Sequence, residues 1–529
     1  MGGKITRACD ACRVRKVRCS GDQPCAQCAH LNLTCAFAPA PAKRKPAVRG
    51  RLVAQLRNKG TSKIRGALDP DPSPAAAVTS IAGIVDATHS ASPQPESIGC
   101  SGYSRDFFLG LLPDFEQLVY PVNPVLTPDE IRAAIATMHS NFEDAALVHA
   151  FGAVTINLTQ TSWTLHGDVA AQMTSLVHYS LWAHRKAELA RESDASGLQS
   201  ELPITVKRIM TCIFNEISLM AFKRFDRSFA ALREAIAMIQ MLNVHQYTDG
   251  DTLLGPKEVS RRQRMYWEAY IHERFLCIVS GFPCIMVPLR TGLPITDSSV
   301  PSWVTLGFNR LIHLFGIMDG PLLTHWAAQH DPTELAPAVT ARWIEIKQAE
   351  LDQDEARAAE AAGDMTTGGH GALSELQHVD LFVTRLWLRT LVWQLALSHR
   401  LLRSAPPQNS HEGLSLHFPA QRLSAQLRSL VGRLGSISSV VNHGSGLLQK
   451  LFEITSTVAD VLALPRATSQ APEEARARIE DFFFLVRFLF SFERTQKHQR
   501  DYLREKLEAL QHVYGAIDFG DIASASPNT

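Results

Sequence analysis

Apolar residues recur at helical spacing through most of this chain. The ranges 204–242, 262–279, 381–402 and 448–464 show a period near 3.6 residues, which is typical of amphipathic helices. Residues 127–130, Thr-Pro-Asp-Glu, form a helix start because Thr, Pro and Glu suit the N-cap, N1 and N3 positions. Alternating runs closed by tight-turn dipeptides, which predict strands, are scarce. The pattern therefore predicts a mainly α fold, with a large all-α helical domain at residues 103–510.

Three segments interrupt or end this pattern. Residues 67–102 are rich in Pro, Ala and Ser, and such a composition cannot bury enough apolar surface to offset its ordering entropy. They are predicted to be a disordered, flexible linker. Residues 352–371 combine Ala, acidic residues and Gly and are predicted to be a mobile insertion between helices. Residues 511–529 are predicted to be a C-terminal tail, either an activation segment or a frayed end.

The charge of the chain is unevenly distributed. It has 529 residues, with 53 Lys+Arg against 52 Asp+Glu. Residues 1–66 hold 15 basic and two acidic residues, a net charge of +13, so the remainder carries −12. A basic head on an acidic body indicates a polyanionic partner for the head alone. A content of 45% apolar residues excludes wholesale disorder.

Neither a membrane span nor a secretory leader is expected. The most apolar stretch, Phe482 to Phe490, has nine residues and contains Arg487, whereas a span needs about 20 apolar residues. The chain begins Met-Gly-Gly-Lys, without the apolar segment of a signal peptide. We therefore predict no membrane partner.

The first 38 residues contain a repeated cysteine motif. Its pattern is C-x2-C-x6-C, given once by Cys9, Cys12 and Cys19 and again by Cys25, Cys28 and Cys35. Each C-x2-C pair is expected to open a short helix, which places two sulfurs about one turn apart near N–H groups that favour thiolate. Clustered cysteines in a chain that is not secreted are typical of metal ligands.

The symmetry of the repeat predicts how two metal ions are held. Two tetrahedral zinc sites need eight sulfur positions, so six cysteines suffice only if two thiolates are shared. One from each half, Cys9 and Cys25, is the symmetric choice. One ion is then held by Cys9, Cys12, Cys19 and Cys25, and the other by Cys25, Cys28, Cys35 and Cys9. Both zinc ions are saturated by sulfur and are expected to be structural. The alternatives are a knot of three disulfides and a one-zinc finger with two spare cysteines.

The two halves of the head differ in charge. Between Cys12 and Cys19 lie four cations, whereas residues 29–34 carry no formal charge apart from His30 when it is protonated. A helix that begins beside such a loop can enter the major groove, where Arg or Lys bonds guanine, while other cations meet phosphates. The alternative is a solvated face that balances the −2 charge of the cluster. The predicted DNA-binding residues are Arg13, Arg15, Lys16 and Arg18.

A basic linker, residues 39–66, follows the head. We expect its cations to serve nuclear import or phosphate contact, with a solvated linker as the alternative. Leu52, Val53 and Leu56 predict at most a short amphipathic helix, which gives weak support to a homodimer. The cations of this segment that carry the prediction are Lys43, Arg44, Lys45, Arg49 and Arg51.

Residues 9–35 resemble the Zn2Cys6 binuclear cluster of fungal transcription factors. The likeness covers all six cysteines, the basic loop at residues 13–18 and Pro24 between the halves. The resemblance implies that Lys16 reads a CGG triplet and that Arg13, Arg15 and Arg18 contact phosphates. It also implies that the first and fourth cysteines are the shared ligands, and that the counterpart of Pro24 can be cis.

A second resemblance lies in the body. Residues 262–274 and Ser280-Gly-Phe-Pro283 are similar to the middle homology region of the same factors, except that Phe282 stands where the family has Arg. Tyr266, Trp267 and Tyr270 are expected to pack inside the body. Glu273 and Arg274 are expected to form a buried pair rather than a catalytic site.

The function predicted is a nuclear, zinc-dependent, sequence-specific regulator of RNA polymerase II transcription that binds double-stranded DNA at CGG-type promoter elements. It is expected to activate genes of a metabolic pathway or a secondary-metabolite cluster. Transcription machinery or coactivators are the expected partners, with a small-molecule inducer and a homodimer as further options. Regulation of sugar or nutrient utilisation is the alternative. Two other classes, a metabolite-binding enzyme and an interaction scaffold with a structural zinc module, are weighed against it, and no catalytic constellation is legible.

Overall fold

The structure is a computed structural model of the chain. It describes residues 8–15, 19–30, 34–37, 102–160, 163, 167–189, 202–247, 254–329, 338–365, 373–436, 438–464 and 472–514. The predicted basic linker at 39–66 lies outside these residues, as does the predicted flexible linker at 67–102 apart from Gly102. No β-strand occurs in the described part of the chain, which confirms the prediction of a mainly α fold with a large helical body.

The head contains two short helices, α1 (Asp10–Arg15) and α2 (Ala26–His30). The body begins with shorter elements, which include a π-helical turn at Phe115–Val119, and continues with long helices. In chain order the body helices are α3 (Arg105–Gly110), α4 (Pro128–Thr137), α5 (Phe142–Thr159), α6 (Asp168–Leu189), α7 (Val206–Ala221), α8 (Phe225–Met241), α9 (Gly255–Ser280), α10 (Ser302–Gly316), α11 (Gly320–Ala328), α12 (Ala341–Met365), α13 (Glu375–Ser398), α14 (Ser424–Arg433), α15 (Ser438–Val441), α16 (Gly444–Leu462), α17 (Pro472–Phe490) and α18 (Lys497–Tyr514).

The predicted helix start at residues 127–130 is confirmed as a capping box. The N–H of Glu130 donates to Thr127 Oγ1 at 3.3 Å, and the N–H of Thr127 donates to the Glu130 carboxylate at 2.9 Å. Two of the N–H groups that a helix start leaves without partners are thereby satisfied. The helix α4 begins where the sequence predicts.

One large apolar core runs through the body. Helix α5 lies at its centre, because residues 144–158 are buried on every face, and it packs against α6 and α7. A helix that is apolar all round is expected in the core rather than at the surface. Helices α13 and α16 pack together in the second half of the body, with Trp387 fully buried in α13.

Helix α9 carries the middle segment that the sequence singled out. Tyr266, Trp267 and Tyr270 are buried in it, as expected. Beyond its C-terminus, Phe282 stacks on Phe229 of α8 with ring centroids 4.1 Å apart. Phe282, which stands where the family has Arg, therefore contributes to the packing through its aromatic ring.

The expectation that Glu273 and Arg274 pair with each other is wrong, although both are buried. Glu273 forms an ion pair with Arg233 of α8 at 2.8 Å. Arg274 stacks on Tyr270, 3.2 Å from the ring centroid, and donates to the carbonyl of Met318. Neighbouring residues of a helix lie about 100° apart around its axis, so their side chains meet different partners.

The predicted insertion at residues 352–371 is corrected over its first part. Residues 352–365 continue α12, and the acidic side chains at its residues 352, 354 and 355 lie against arginines of α13. Asp352 lies 2.7 Å from Arg389, and Asp354 lies 2.6 Å from Arg385. The acidic composition therefore marks a helix face that pairs with buried cations, and residues 366–372 lie outside the described residues.

At its C-terminal end the helical body extends slightly beyond the predicted boundary. Helix α18 continues to Tyr514, and residues 515–529 of the predicted tail lie outside the described residues. The apolar stretch from Phe482 to Phe490 is the end of α17. Among the described residues, none of the helices combines the length and apolarity that a membrane crossing requires.

His272 of α9 gives the body a pH-dependent contribution to stability. Its Nδ1 lies 2.6 Å from Glu216 and its Nε2 lies 3.0 Å from Glu268. Burial lowers its pKa, but the two carboxylates outweigh this and raise the pKa of His272 to about 10. A group whose pKa is higher in the folded state stabilises the fold, and this contribution is complete at pH values below its unfolded pKa of about 6.5. The contribution disappears as the pH rises towards the folded pKa of about 10.

We therefore expect His272→Gln to destabilise the chain most at pH 6 and progressively less as pH approaches 10. Urea unfolding of both proteins across this range measures the difference. His178→Gln, at an exposed position of α6, is the control and should show no such trend. A destabilisation by His272→Gln that is constant with pH would contradict the assignment of charge to this imidazole.

Candidate metal and nucleic-acid site

The two halves of the head place their first cysteines alike. Cys9 immediately precedes α1 and Cys12 lies in its first turn, and Cys25 and Cys28 stand in the same places relative to α2. The N–H of Cys12 donates to Cys9 Sγ at 3.5 Å, and the N–H of Cys28 donates to Cys25 Sγ at 3.4 Å. As expected, each C-x2-C pair opens a helix, and its N–H groups stabilise negative charge on the first sulfur.

The third cysteine of each half lies beside the first and accepts a hydrogen bond from its backbone. The N–H of Cys9 donates to Cys19 Sγ at 3.4 Å, and the N–H of Cys25 donates to Cys35 Sγ at 3.2 Å. The same N–H···S bond thus occurs once in each half. The two halves of the head therefore share the same hydrogen bonds as well as the same cysteine spacing.

Further hydrogen bonds cross between the halves. The N–H of Asp10 donates to the carbonyl of Ala36, and the N–H of Ala26 donates to Ser20 Oγ at 2.9 Å. Each donor follows the first cysteine of one half, and each acceptor follows the third cysteine of the other. Gln23 Nε2 also donates to the carbonyl of Cys35. Sequence analysis missed Ser20 and Gln23, although their placement beside the cysteines is a usable signal.

The central sulfur atoms lie at distances that suit zinc. Cys9 Sγ is 3.6 Å from both Cys25 Sγ and Cys28 Sγ, and Cys12 Sγ is 3.4 Å from Cys25 Sγ. Sulfurs 2.3 Å from a tetrahedral zinc are about 3.8 Å apart. The spacing leaves room for an ion between them. All six cysteines of the head are free of disulfides.

The six sulfurs form two groups of four, and within each group all lie within 4.8 Å of one another. The groups are Cys9, Cys12, Cys19 and Cys25, and Cys9, Cys25, Cys28 and Cys35. Cys9 and Cys25 belong to both, and they are the pair that the sequence symmetry selects as shared. The donor set therefore fits two structural zinc ions with no open position.

The thiols of the head differ in acidity. Burial raises the pKa of Cys12 and Cys28, and contact with the Cys25 sulfur raises both further. Burial acts in the same direction on Cys25, but the N–H of Cys28 and the neighbouring thiols outweigh it and lower the pKa of Cys25 to about 6. Burial also raises the pKa of Cys9, the other sulfur common to both groups, so the lowered pKa of Cys25 is not a property that the two shared sulfurs have in common.

The predicted DNA-binding residues lie between Cys12 and Cys19 in the chain. Arg13 and Arg15 lie on α1, while Lys16, Arg18 and the predicted cations at 43–51 fall outside the described residues. The peptide bond between Gln23 and Pro24 is cis, as the family resemblance allows.

Residues 7–45 match the fungal Zn(2)-Cys(6) binuclear cluster domain. This domain binds two zinc ions, and the sulfur geometry of the head is suited to metal binding. The six cysteines would hold the ions and offer a sulfur for every position of two tetrahedral sites, so the zinc would supply structure.

Three curated relatives match the chain over very different lengths. The chain is 20% identical over 472 residues to the maltose fermentation regulatory protein of Saccharomyces cerevisiae, covering 86% of this chain and 84% of the relative. It is 21% identical over 270 residues to a probable sucrose utilization protein of Candida albicans, covering 50% and 48%. It is 39% identical over 62 residues to a xylanolytic transcriptional activator of Aspergillus flavus, covering 11% and 6%.

The chain thus spans about half the length of the Candida relative and a small part of the Aspergillus one, whereas it aligns with the Saccharomyces regulator over most of both chains. The motif, the sulfur geometry and the domain match agree with one another. Residues 7–45 are therefore similar to the fungal Zn(2)-Cys(6) binuclear cluster domain, and the chain over most of its length is similar to a fungal maltose fermentation regulatory protein.

Proposed function

We propose that this protein is a zinc-dependent, sequence-specific DNA-binding transcription factor of RNA polymerase II promoters. The observation that carries the proposal is the pair of four-sulfur groups that share Cys9 and Cys25, within a match to a fungal binuclear cluster domain. We assign all six cysteines of the head as zinc ligands, with Cys9 and Cys25 bridging the two ions. No residue of the chain is assigned a catalytic role.

The charge difference between the halves supports the choice of DNA-reading face. Helix α1 carries Arg13 and Arg15 and is followed by Lys16 and Arg18, whereas the equivalent positions after Cys28 are uncharged apart from His30. We propose that Lys16 contacts guanine in a CGG element and that the three arginines contact phosphates. The cations at 43–51 then serve phosphate contact or import into the nucleus, where the protein acts.

We propose that the regulated genes serve carbohydrate use. The sequence alone favoured a metabolic or secondary-metabolite cluster, but the relatives are a maltose fermentation regulator, a sucrose utilization protein and a xylanolytic activator. Because these names agree, they support the alternative of sugar utilisation. The helical body is proposed to contact coactivators or the transcription machinery and to respond to an inducer, and activation is the proposed direction. A homodimer remains part of the proposal as a hypothesis.

Replacing Lys16 with alanine tests the reading of DNA. Selection from random duplexes with the full chain should enrich a CGG motif, and Lys16→Ala should weaken binding to that motif by about 10- to 100-fold, because one good contact to guanine contributes about 1–3 kcal/mol of discrimination. Asn32→Ala is a matched control, since Asn32 holds the position equivalent to Lys16 in the other half.

Arg15→Ala should instead weaken all duplexes alike and reduce the salt dependence, lowering the slope of log K against log salt by about 0.9. If no motif is enriched, or if Asn32→Ala is as damaging as Lys16→Ala, the protein is better described as a scaffold with a structural zinc module.

A further inference from the structure

Three helices of the body each bring one possible metal ligand to a common point. His184 of α6, Cys212 of α7 and Glu234 of α8 place Nε2, Sγ and a carboxylate oxygen within 4.8 Å of one another. His184 and Cys212 are each 4% exposed, whereas the side chain of Glu234 is 31% exposed. These three residues, called the three-helix site below, therefore lie at the edge of the core with the carboxylate on the solvent side.

A single nitrogen of His184 faces both of the other ligand atoms. Nε2 lies 2.9 Å from Glu234 Oε1 and 3.8 Å from Cys212 Sγ. In a nucleophilic triad the acid and the nucleophile lie on opposite nitrogens of the imidazole ring, so this group is not arranged to activate the cysteine. Nitrogen, sulfur and oxygen atoms that converge on one point are instead typical of a metal site.

The distances within the three-helix site are close to those around zinc. A tetrahedral zinc ion about 2.0–2.1 Å from nitrogen and oxygen and about 2.3 Å from sulfur holds the nitrogen about 3.4 Å from the oxygen and about 3.6 Å from the sulfur. The pair that must separate, by about 0.5 Å, is His184 Nε2 and Glu234 Oε1. Because Glu234 is the partly exposed member, its side chain has room to make this adjustment.

A neighbouring arginine orients the carboxylate. Arg185 of α6 donates to Glu234 Oε2 at 3.2 Å, while Oε1 is the oxygen that lies against His184. Carboxylates that bind metals are usually held in this way by a hydrogen bond to the oxygen or from a group beside it. The site therefore has an outer partner as well as three ligands.

A buried cation lies one turn before the cysteine on α7. Nε and Nη1 of Arg208 have no hydrogen-bond partner among the described residues, and Nη2 is 3.7 Å from the carboxylate of Glu188. Burial and the charge of Glu234 raise the pKa of Cys212, while Arg208 and Arg185 act in the opposite direction. A guanidinium short of acceptors thus favours a negative charge on the sulfur.

The same surroundings limit the affinity for a metal. An ion must displace the proton of the buried thiol, and the charges of Arg185 and Arg208 oppose a cation. Three protein ligands also leave one tetrahedral position for water, whereas the sulfur groups of the head offer four. We therefore expect the three-helix site to exchange its ion readily and to fill only when metal is added.

We propose that His184, Cys212 and Glu234 bind Zn²⁺ as a third, exchangeable metal site, with water as the fourth ligand. Imidazole and thiolate ligands suit Zn²⁺ and its substitute Co²⁺, whereas Mg²⁺ and Ca²⁺ take oxygen ligands. The bound ion ties α6, α7 and α8 together, and α8 in turn holds α9 through the pair of Arg233 and Glu273. The proposal is independent of the proposed function, since it requires no DNA.

Titration of the zinc-loaded full chain with Co²⁺ tests the proposal, because a bond between cobalt and thiolate absorbs in the near ultraviolet. One equivalent of Co²⁺ should bind and produce this absorption while the head retains its two zinc ions, counted by native mass spectrometry. Added Zn²⁺ should remove the absorption and raise the Tm. Mg²⁺ and Ca²⁺ should do neither.

Two variants remove ligands from the buried part of the site. Cys212→Ala should abolish the absorption. His184→Gln keeps a donor for Glu234 but has no ring nitrogen, and it should weaken Co²⁺ binding about 100-fold or more, since loss of an outer partner alone costs about 10–100-fold. The matched controls are Cys277→Ala, at a buried cysteine outside the group, and His178→Gln, at an exposed position of α6; both should bind Co²⁺ like the unaltered chain.

A third variant guards against loss of folding. Glu234→Gln, at the partly exposed position, keeps an acceptor for His184 and should still weaken Co²⁺ binding about tenfold or more, with the Tm of the metal-free body unchanged.

The proposal is overturned if the unaltered chain shows no cobalt–thiolate absorption, or if Glu234→Gln binds Co²⁺ as tightly as the unaltered chain. Absorption that persists in Cys212→Ala would also overturn it, because the cobalt would then be bound by the cysteines of the head. A chain that binds Co²⁺ at this site but no CGG element would refute the transcription-factor proposal and leave the metal site standing.

Discussion

Replacing Cys25 with serine should remove both zinc ions from the head. Cys25 belongs to both four-sulfur groups, so its loss takes a ligand from each ion. Structural zinc binding contributes about 10–16 kcal/mol to the folding of small zinc domains, and the head has no large apolar core of its own to replace it. Native mass spectrometry should show two ions in the unaltered chain and none in Cys25→Ser, with loss of specific DNA binding.

Two further variants separate the shared ligands from the others. Cys35 belongs to one group only, so Cys35→Ser should mainly weaken one ion and leave the other coordination set complete. Cys277, buried in α9 of the body, belongs to neither group of sulfurs, and its replacement by alanine should have no effect on zinc content. Equal loss of zinc in Cys25→Ser and Cys35→Ser would argue against bridging by Cys25.

Replacing Glu273 with alanine should lower the free energy of unfolding of the body by about 3–5 kcal/mol, the cost of removing one partner of a buried ion pair. The Glu273 carboxylate is fully buried, pairs with Arg233 at 2.8 Å and accepts from the N–H groups of Ile285 and Met286 at 3.0 and 2.8 Å. Without it, the partly exposed guanidinium of Arg233 loses its carboxylate and keeps only the carbonyl of Pro283, and two N–H groups lose their acceptor. Denaturant unfolding of the full chain measures the change.

Asp129→Ala provides the comparison for this prediction. Asp129 forms an ion pair with Arg132 on α4, but its side chain is 89% exposed, and exposed pairs contribute about 0–1 kcal/mol. Similar destabilisation by the two substitutions would mean that Glu273 contributes no more than a surface charge. Zinc content should be unaffected in both variants.

The head was more predictable from the sequence than the body. Zinc coordination has fixed number and geometry, so six cysteines in a repeat are enough to predict which sulfurs come together. Ser20 and Gln23 were missed because hydrogen bonds to a backbone impose only weak demands on residue type.

In the body, periodicity predicted the helices but not the partners of their side chains. Glu273 pairs with Arg233, 40 residues earlier in the chain, and such long-range pairings leave no local pattern. The acidic run that begins at Asp352 was predicted to be part of a mobile insertion because its partners, Arg385 and Arg389, lie on another helix and leave no sign in the local sequence.

Helix α9 extends over 26 residues, or about 39 Å at 1.5 Å per residue. In its N-terminal half Arg264 donates to the carbonyl of Pro124 and to the carboxylate of Asp297, and in its C-terminal half the carboxylate of Glu273 accepts from the N–H groups of Ile285 and Met286. Glu268 and His272 lie between these two residues, and His272 also binds Glu216 of α7. Polar bonds from α9 therefore reach several separate segments of the chain, so a displacement of this one helix would disturb the contacts of all of them at once.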